Sequence, residues 1–337
     1  ECKGLLIEES RTNLLKYSVD FASIPGYNAN YSNARSTLSS TTEVAPDGTN
    51  TASKYVRTAG QGTGEVAIII GNTLGLSNGT VYTSSIFVKN VGTSSILEFV
   101  NVRASSANSD SQFNLALGTI TTEGSENTLT TITPYPNDWY RISVTAAMNN
   151  LSGYFWIRMY NQPEGDGFII WGGQVEEGAF PTSYIPTYNN SSVTRGQDFL
   201  VMTGTDVDDI FNPNEGTMFY EASVTDLTNA NQPIVAFRNS LNTGKEYFAM
   251  GHATGGSPGY VRVWAKNSAG SNVHLTTHTS AALIADTPYK HAFGYAYNNY
   301  SDVFTQGTNS SQLNTINSAN HAMMATGVIN ELRFGAY

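Results

Sequence analysis

Short runs with strand character recur at close intervals through this chain, separated by clusters of turn-forming residues, and no long helical periodicity competes with them. The runs are "TGEVAIII" (ending at Ile70), "VYTSSIFVKN" (Val81 to Asn90), "SSILEFVNVR" (Ser94 to Arg103) and "SQFNLALGTI" (Ser111 to Ile120). They continue with "WYRISVTAAM" (Trp139 to Met148), "GYFWIRMYN" (Gly153 to Asn161) and "GFIIWGGQV" (Gly167 to Val175). Between them lie "APDGTN", "SANSD" and "YPND", rich in residues that take turn geometry. A chain patterned this way is all-β, a sandwich or jelly roll.

The segment "WGGQVEEGAFPTSYIPT" (Trp171 to Thr187) then changes the pattern. Gly172 and Gly173 interrupt the strand, where missing side chains permit a bulge or a close backbone approach. Pro181 and Pro186 cannot donate ladder hydrogen bonds, so no central strand continues there, and they hold Phe180 and Ile185 extended. Phe180, Tyr184 and Ile185 are too apolar for a free linker. The segment reads as a stiff strap packed on the first domain.

A second strand series starts at "GTMFYEASVT" (Gly216 to Thr225) and ends with "GVINELRFGAY" at the C-terminus. The sequence therefore predicts two β-sandwich (jelly-roll) domains in tandem: residues 1–200 with the proline strap, a connector over 201–214, and residues 215–337. A length of 337 residues suits two domains, and 40% apolar residues suffice for two cores.

The formal charge of −10 disfavours phosphate contacts, which excludes nucleic acid as an expected partner. No apolar run approaches the length of a membrane span, so no membrane insertion is expected. Cys2 is the single cysteine, which rules out an intrachain disulfide or a cysteine zinc site. The chain begins at Glu1, which suggests a removed leader or a longer parent polypeptide. The sequons at Asn30, Asn78, Asn150, Asn190 and Asn309 are what chance gives in so Asn-, Ser- and Thr-rich a chain.

Local signatures of catalysis or metal binding resolve into bland readings. "GLSNG" around Ser77 has the nucleophile-elbow spacing, but a strand follows it where the elbow needs a helix, so it reads as a turn. His274 and His278 in "HLTTH" have the spacing of a helical metal pair, yet the β-branched threonines among them favour a strand, which would set them roughly 13 Å apart. Asp206, Asp208 and Asp209 are candidate oxygen ligands for calcium, with solvated surface acids as the alternative; no other cofactor is expected. Glycosidases need two carboxylates flanking one bond. The Glu-x-Asp-x-x-Glu strand of jelly-roll glucanases is absent, and Glu176 and Glu177 point to opposite faces of an extended chain.

Two strand faces carry recognition chemistry. Alternation sets Trp156, Arg158 and Tyr160 on one face, with Phe155, Ile157 and Met159 on the other. In "VRVWAK", Arg262, Trp264 and Lys266 share a face opposite Val261, Val263 and Ala265. Rings beside hydrogen-bond donors suit sugars, with their apolar C–H faces and hydroxyl rims. A cation–π-decorated surface or a subunit interface is the alternative. Tyr289, His291, Phe293, Tyr295 and Tyr297 form an aromatic stripe that reads as core.

The first half resembles a module found in bacteriophage tail-fibre and other virion surface proteins. The resemblance is carried by "GLLIEESRTNLLKYSVDF", "APDGTNTASKY", "SSIFVKNVGTS", "NDWYRISVT", "WGGQVEEGAFPTSYIPT" and "SVTRGQDF", in that order, over most of residues 4–199. The module is similar to a carbohydrate-binding-module jelly roll, with "TNLLKYSVDF" as its opening strand and "IIWGGQVEEG" as its closing one. Where many such modules carry an Asp pair before the closing Val, this chain has Gly173 and Gln174. The second half looks like a concanavalin-A-like (laminin-G-like) sandwich, on "PNEGTMFYEASV", "TPYKHAFGYAYNNYSDVFTQGT" and "GVINELRFGAY".

The resemblance implies a non-catalytic structural protein on the virion surface of a tailed phage, in a tail fibre, spike or capsid-surface fibre. Its implied partners are cell-surface or environmental glycans and other virion proteins, with a homo-oligomer, a trimer by preference. The alternatives are a purely structural spacer or decoration protein and a polysaccharide depolymerase.

Overall fold

The computed structural model describes residues 5–23, 36–58, 66–71, 74, 76–100, 110–148, 155–159, 162–188, 190–212, 214–225, 227, 232–239, 247–253, 259–266, 272–296, 299–306, 309–316 and 329–335. These residues are nearly all β, in antiparallel sheets. The chain divides into two compact units, Ser10–Gln197 and Glu1–Glu9 with Asp198–Tyr337.

The first unit holds β1 (Arg11–Asn13), β2 (Ser36–Ser40), β3 (Ser53–Arg57), β4 (Val66–Gly71), β5 (Val81–Val91), β6 (Ile96–Val100) and β7 (Asp110–Asn114). It continues with β8 (Thr119–Thr122), β9 (Asn127–Tyr135), β10 (Trp139–Ala147), β11 (Phe155–Met159), β12 (Gly167–Glu177) and β13 (Val193–Arg195). One six-stranded sheet runs β2-β3-β12-β5-β10-β9, and a five-stranded sheet runs β4-β11-β6-β7-β8. Alternation turns Ile86, Val88, Ile142, Val144 and Phe168 of the larger sheet toward Leu97, Phe99, Phe113, Ile157 and Met159 of the smaller. All are buried, so the two sheets enclose a sandwich core.

Turn chemistry sets the registers. Asn137 and Asp138 both take φ 61°, the left-handed pair that matches the twist of a tight hairpin, and they join β9 to β10. The run Ser111 to Ile120, which reads as one strand, is instead the β7–β8 hairpin. The Asn114 side chain accepts from the backbone N–H of Ala116 and Leu117, at 3.0 and 3.1 Å, and folds the chain back.

The closing strand carries the bulge that its glycines predict: the register of β12 on β5 slips between Trp171 and Gln174. Gly172 has φ 62°, and a Cβ there would lie 2.9 Å from the Phe87 ring. Beyond β12 the strap packs on the outer face of the six-stranded sheet, Tyr184 joining Phe87, Trp139, Ile169 and Trp171. Buried polar groups fasten it. Glu176 accepts from Thr182 N (2.9 Å), Thr182 Oγ1 (2.7 Å) and Gln174 Nε2 (2.7 Å), while Gln174 Oε1 accepts from Ile185 N (2.7 Å). Asn13 Nδ2 reaches both sides, donating to Gly173 O and Ile185 O at 3.1 and 2.9 Å.

The second unit holds β14 (Leu200–Thr203), α1 (Thr205–Asp208), β15 (Glu215–Ala222), β16 (Gln232–Arg238), β17 (Tyr247–Ala253), β18 (Tyr260–Lys266) and β19 (Asn272–Ala282). It ends with β20 (Tyr289–Ala296), β21 (Asn299–Gln306), β22 (Asn309–Ile316) and β23 (Glu331–Phe334). A six-stranded sheet runs β14-β23-β16-β17-β18-β19 and a four-stranded sheet runs β15-β20-β21-β22. Phe237, Phe248, Met250 and Val263 of one meet Phe293 and Tyr295 of the other. The aromatic stripe of β20 is thus core: Tyr289, His291, Phe293 and Tyr295 are all buried, while Tyr297 lies outside the described residues.

Within the stretch read as a connector, 201–214, the described residues include regular secondary structure. β14 pairs with β23, and α1 buries Val207 completely. Phe211, four residues on, lies 4.8 Å from the Phe237 ring centroid. Residues four apart on a helical turn share a face, so "TGTDVDDIF" is a short amphipathic turn sealing one end of the core, a pattern too brief to register as periodicity.

Candidate functional site

The face opposite the first core is built by three adjacent strands. In register, Arg158 of β11 stands beside Glu98 of β6, and Glu98 beside Gln112 of β7. One step along, Trp156 pairs with Val100, and Val100 with Asp110. Ile157 and Met159 fill the core from the alternate positions, as the sequence alternation requires. This leaves Arg158, Glu98, Gln112 and Asp110 together on the other side of the sheet.

Their side chains converge. Arg158 Nη2 is paired with both Glu98 and Asp110, and Gln112 Nε2 donates to Glu98 Oε2 at 3.2 Å. Exposure is low, 15% for the side chains of Arg158 and Asp110 and 8% for that of Glu98. Two carboxylates thus compete for one guanidinium in a poorly hydrated place. Burial drives the Asp110 carboxyl up, Arg158 draws it down and Glu98 raises it again, for a net value of about 6. The Trp156 side chain and all of Tyr160 fall outside the described residues.

Glu98, Asp110 and Gln112 were not singled out by the sequence. One signal was present: Glu98 sits between Leu97 and Phe99, a charge at the outward position of an otherwise apolar strand. That it meets Asp110 and Arg158 depends on the pairing of β6 with β7 and β11, which is fixed only by the sheet.

The second candidate set lies on β18. Val261, Val263 and Ala265 are buried on the inner side. On the other side the Arg262 guanidinium stands 5.8 Å from the Trp264 ring centroid. Trp264 is itself only 7% exposed, packed against Ala236 and Ala249 of β16 and β17. With small neighbours on β16 and β17, the indole is packed rather than presented. Lys266 is half-buried at the end of the strand.

The remaining residues separate. Asp206, Asp208 and Asp209 are exposed around α1, and among the described residues no three His, Cys, Asp or Glu side chains gather as a metal site would require. His274 and His278 lie in β19, and His278 is buried beside His291, ring centroids 5.8 Å apart. Ser77 precedes a turn that leads directly into β5. Glu176 is buried while Glu177 is exposed. Among the described residues no helix is long and apolar enough to cross a membrane.

No family model matches this chain, and no curated protein matches it. Among solved structures, it is similar to the crystal structure of the LG1-3 region of the laminin alpha2 chain. The identity is 10% and the TM-score 0.29, over 77% of this chain and 57% of that one. The chain therefore spans less than two thirds of that structure.

Proposed function

We propose that this chain is a non-catalytic surface protein of a tailed-phage virion, borne on a tail fibre, spike or capsid-surface fibre, that contacts host or environmental glycans. The virion setting is supported by the six ordered sequence blocks over most of residues 4–199. The glycan reading rests on one observation, the gathering of Arg158, Gln112, Glu98 and Asp110 on the outer side of the five-stranded sheet. Sequence alternation adds Trp156 to that face. Guanidinium, amide and carboxylate groups can hydrogen-bond a hydroxyl rim, and an indole can cover a C–H face.

The non-catalytic reading is supported at the same place. Glu98 and Asp110 meet one nitrogen and lie within hydrogen-bonding reach of each other. A glycosidase pair stands about 5 Å or more apart to admit the sugar or a water. A single shallow site of this kind suits millimolar affinity, about −4 kcal/mol. Firm attachment would then require several copies, which a homotrimer and a multicopy virion protein supply.

The test is a glycan array probed with the whole chain. Binding should be abolished by Trp156→Ala with little change in melting temperature, and incubation with polysaccharides should release no reducing ends. If Trp156→Ala unfolds the first unit instead, the two faces of β11 are reversed and the site is withdrawn. A structural spacer role is favoured by the deep engagement of Arg158, and an array empty for the intact protein would select it.

A further inference from the structure

Glu98, Asp110 and Arg158 come from adjacent strands and meet at one nitrogen, Nη2 of Arg158. One guanidinium neutralises one carboxylate, so with both acids ionised the cluster keeps a net negative charge at low exposure. Two carboxylates this close repel each other. Gln112 donates a neutral hydrogen bond to Glu98, and among the described residues of this sheet Arg158 is the one cation. Gln112 and Thr122 stand on β7 and β8, and Ala67 and Ile69 of β4 lie opposite Arg158 and Trp156 in register.

We propose that the outer face of the five-stranded sheet is proton-gated, Asp110 taking up a proton in mild acid and thereby admitting acidic glycans that the same face repels at neutral pH. Deprotonated, the cluster is anionic and both carboxylates hold Arg158. On uptake of one proton from solvent, the Asp110 carboxyl donates its O–H to Glu98, which keeps the guanidinium. Arg158 then loses the Asp110 carboxylate as an anionic acceptor, and the three groups together become neutral. The Nη2 position that Asp110 vacates can then donate a charge-assisted hydrogen bond to a ligand carboxylate. The ligand half of this inference rests on the glycan reading above; the proton half does not.

The chemistry of the group gives the direction. The folded Asp110 value of about 6 lies above its ordinary 3.8. Its contribution to stability is therefore complete below the ordinary value and is lost as pH rises through about 6.

The experiment uses the whole chain in two arms. In the first, the Asp110 carboxyl carbon is titrated by NMR, and melting of the wild type, Asp110→Asn and Asp110→Glu is followed from about pH 5 to about pH 8. The Asp110 resonance should titrate near 6, and the first unit should melt several degrees lower at the alkaline end. Asp110→Asn should flatten that slope and Asp110→Glu should keep it. An ordinary carboxylate midpoint, or an unchanged slope in Asp110→Asn, overturns the proposal.

In the second arm, polyuronate and neutral glycans are arrayed at both pH values. Polyuronate should bind at least tenfold better in acid, and Asp110→Asn should bind it equally at both. Equal polyuronate binding by the wild type at both values overturns the gating. Silence of every glycan removes the recognition reading and the gating with it, while the first arm still decides the proton.

Discussion

Tyr184 lies against Trp171 with ring centroids 4.6 Å apart and planes inclined at 56°, so the proline-stiffened segment covers the strand it has just left. Aromatic contact alone would let the strap slide. The carboxylate of Glu176 fixes its position, because it accepts from the backbone and hydroxyl of Thr182 while fully buried.

Removing that carboxylate should therefore cost far more than its neighbour in sequence. Glu176→Ala leaves Thr182 and Gln174 donors without their acceptor, at about 1–3 kcal/mol or more. With roughly 2–4 °C per kcal/mol for a unit of this size, the first unit should melt clearly lower. Glu177→Ala, at an exposed position, should stay within about 0.5 kcal/mol. Equal effects in thermal melts would show that the strap is held by its rings alone.

Asp166 plays a comparable part in the turn after β5. Burial pushes its carboxyl up, but hydrogen bonds from Ser94 N (2.7 Å), Thr93 Oγ1 (2.8 Å) and Thr93 N (2.8 Å) hold it below the ordinary carboxylate value. A depressed value means stability that is present above the unfolded pKa and lost as pH falls through the folded one. Asp166→Asn should consequently be destabilised at neutral pH, and the gap to wild type should close in strong acid. A gap independent of pH would contradict the hydrogen-bond account.

The same carboxylate explains Gly92, which has φ 89° and whose Cβ would fall 1.9 Å from Asp166 Oδ1. Gly92→Ala thus meets both backbone strain and a clash. It should lower the melting temperature of the first unit, and Gly48→Ala provides the control. Gly48 has φ 85° but open space around it, so only the backbone strain remains. The larger loss is expected at Gly92.

Core and face along β11 are separable by two substitutions. Ile157 is fully buried between the sheets, and Ile157→Ala should cost about 2–5 kcal/mol through lost contacts and a residual cavity. Arg158→Gln keeps much of the side-chain volume and cancels one charge, leaving Glu98 and Asp110 facing each other without a cation. Its penalty should therefore grow as pH rises through about 6, whereas that of Ile157→Ala should not change with pH. Chemical denaturation at acid and neutral pH distinguishes them.

Val207 tests whether 201–214 is part of the second fold. Its side chain is fully buried with Phe237 and Ile329, so Val207→Asp places an uncompensated charge in the core and should unfold that unit. Asp206→Val, at the exposed neighbouring position, should be nearly neutral. A silent Val207→Asp would return the segment to the status of a linker.

The sequence by itself determined the class of the fold, since alternation with turn clusters admits little but antiparallel sandwiches. It also determined the bulge at Gly172, the strap beyond it and the inward side of β11 and β18, because each follows from local geometry: a missing Cβ, a missing N–H, a two-residue period. Strands without apolar alternation escaped it. β9 ("NTLTTITPY") and β22 ("NSSQLNTI") are polar strands at sheet edges, where pairing on one side only relaxes the demand for hydrophobic residues. The helical turn around Val207 was too short to show a period. What only the tertiary structure decided was partnership across strands. Glu98, Asp110 and Arg158 are far apart in sequence and are brought to one nitrogen by the β6–β7 and β6–β11 registers. Trp264 is packed down because Ala249 of β17 stands opposite it and Ala236 of β16 stands beyond that. Alternation fixes which way a side chain points, but its neighbours, and with them its charge and exposure, come from strand order and register, which are set by packing of the whole sheet.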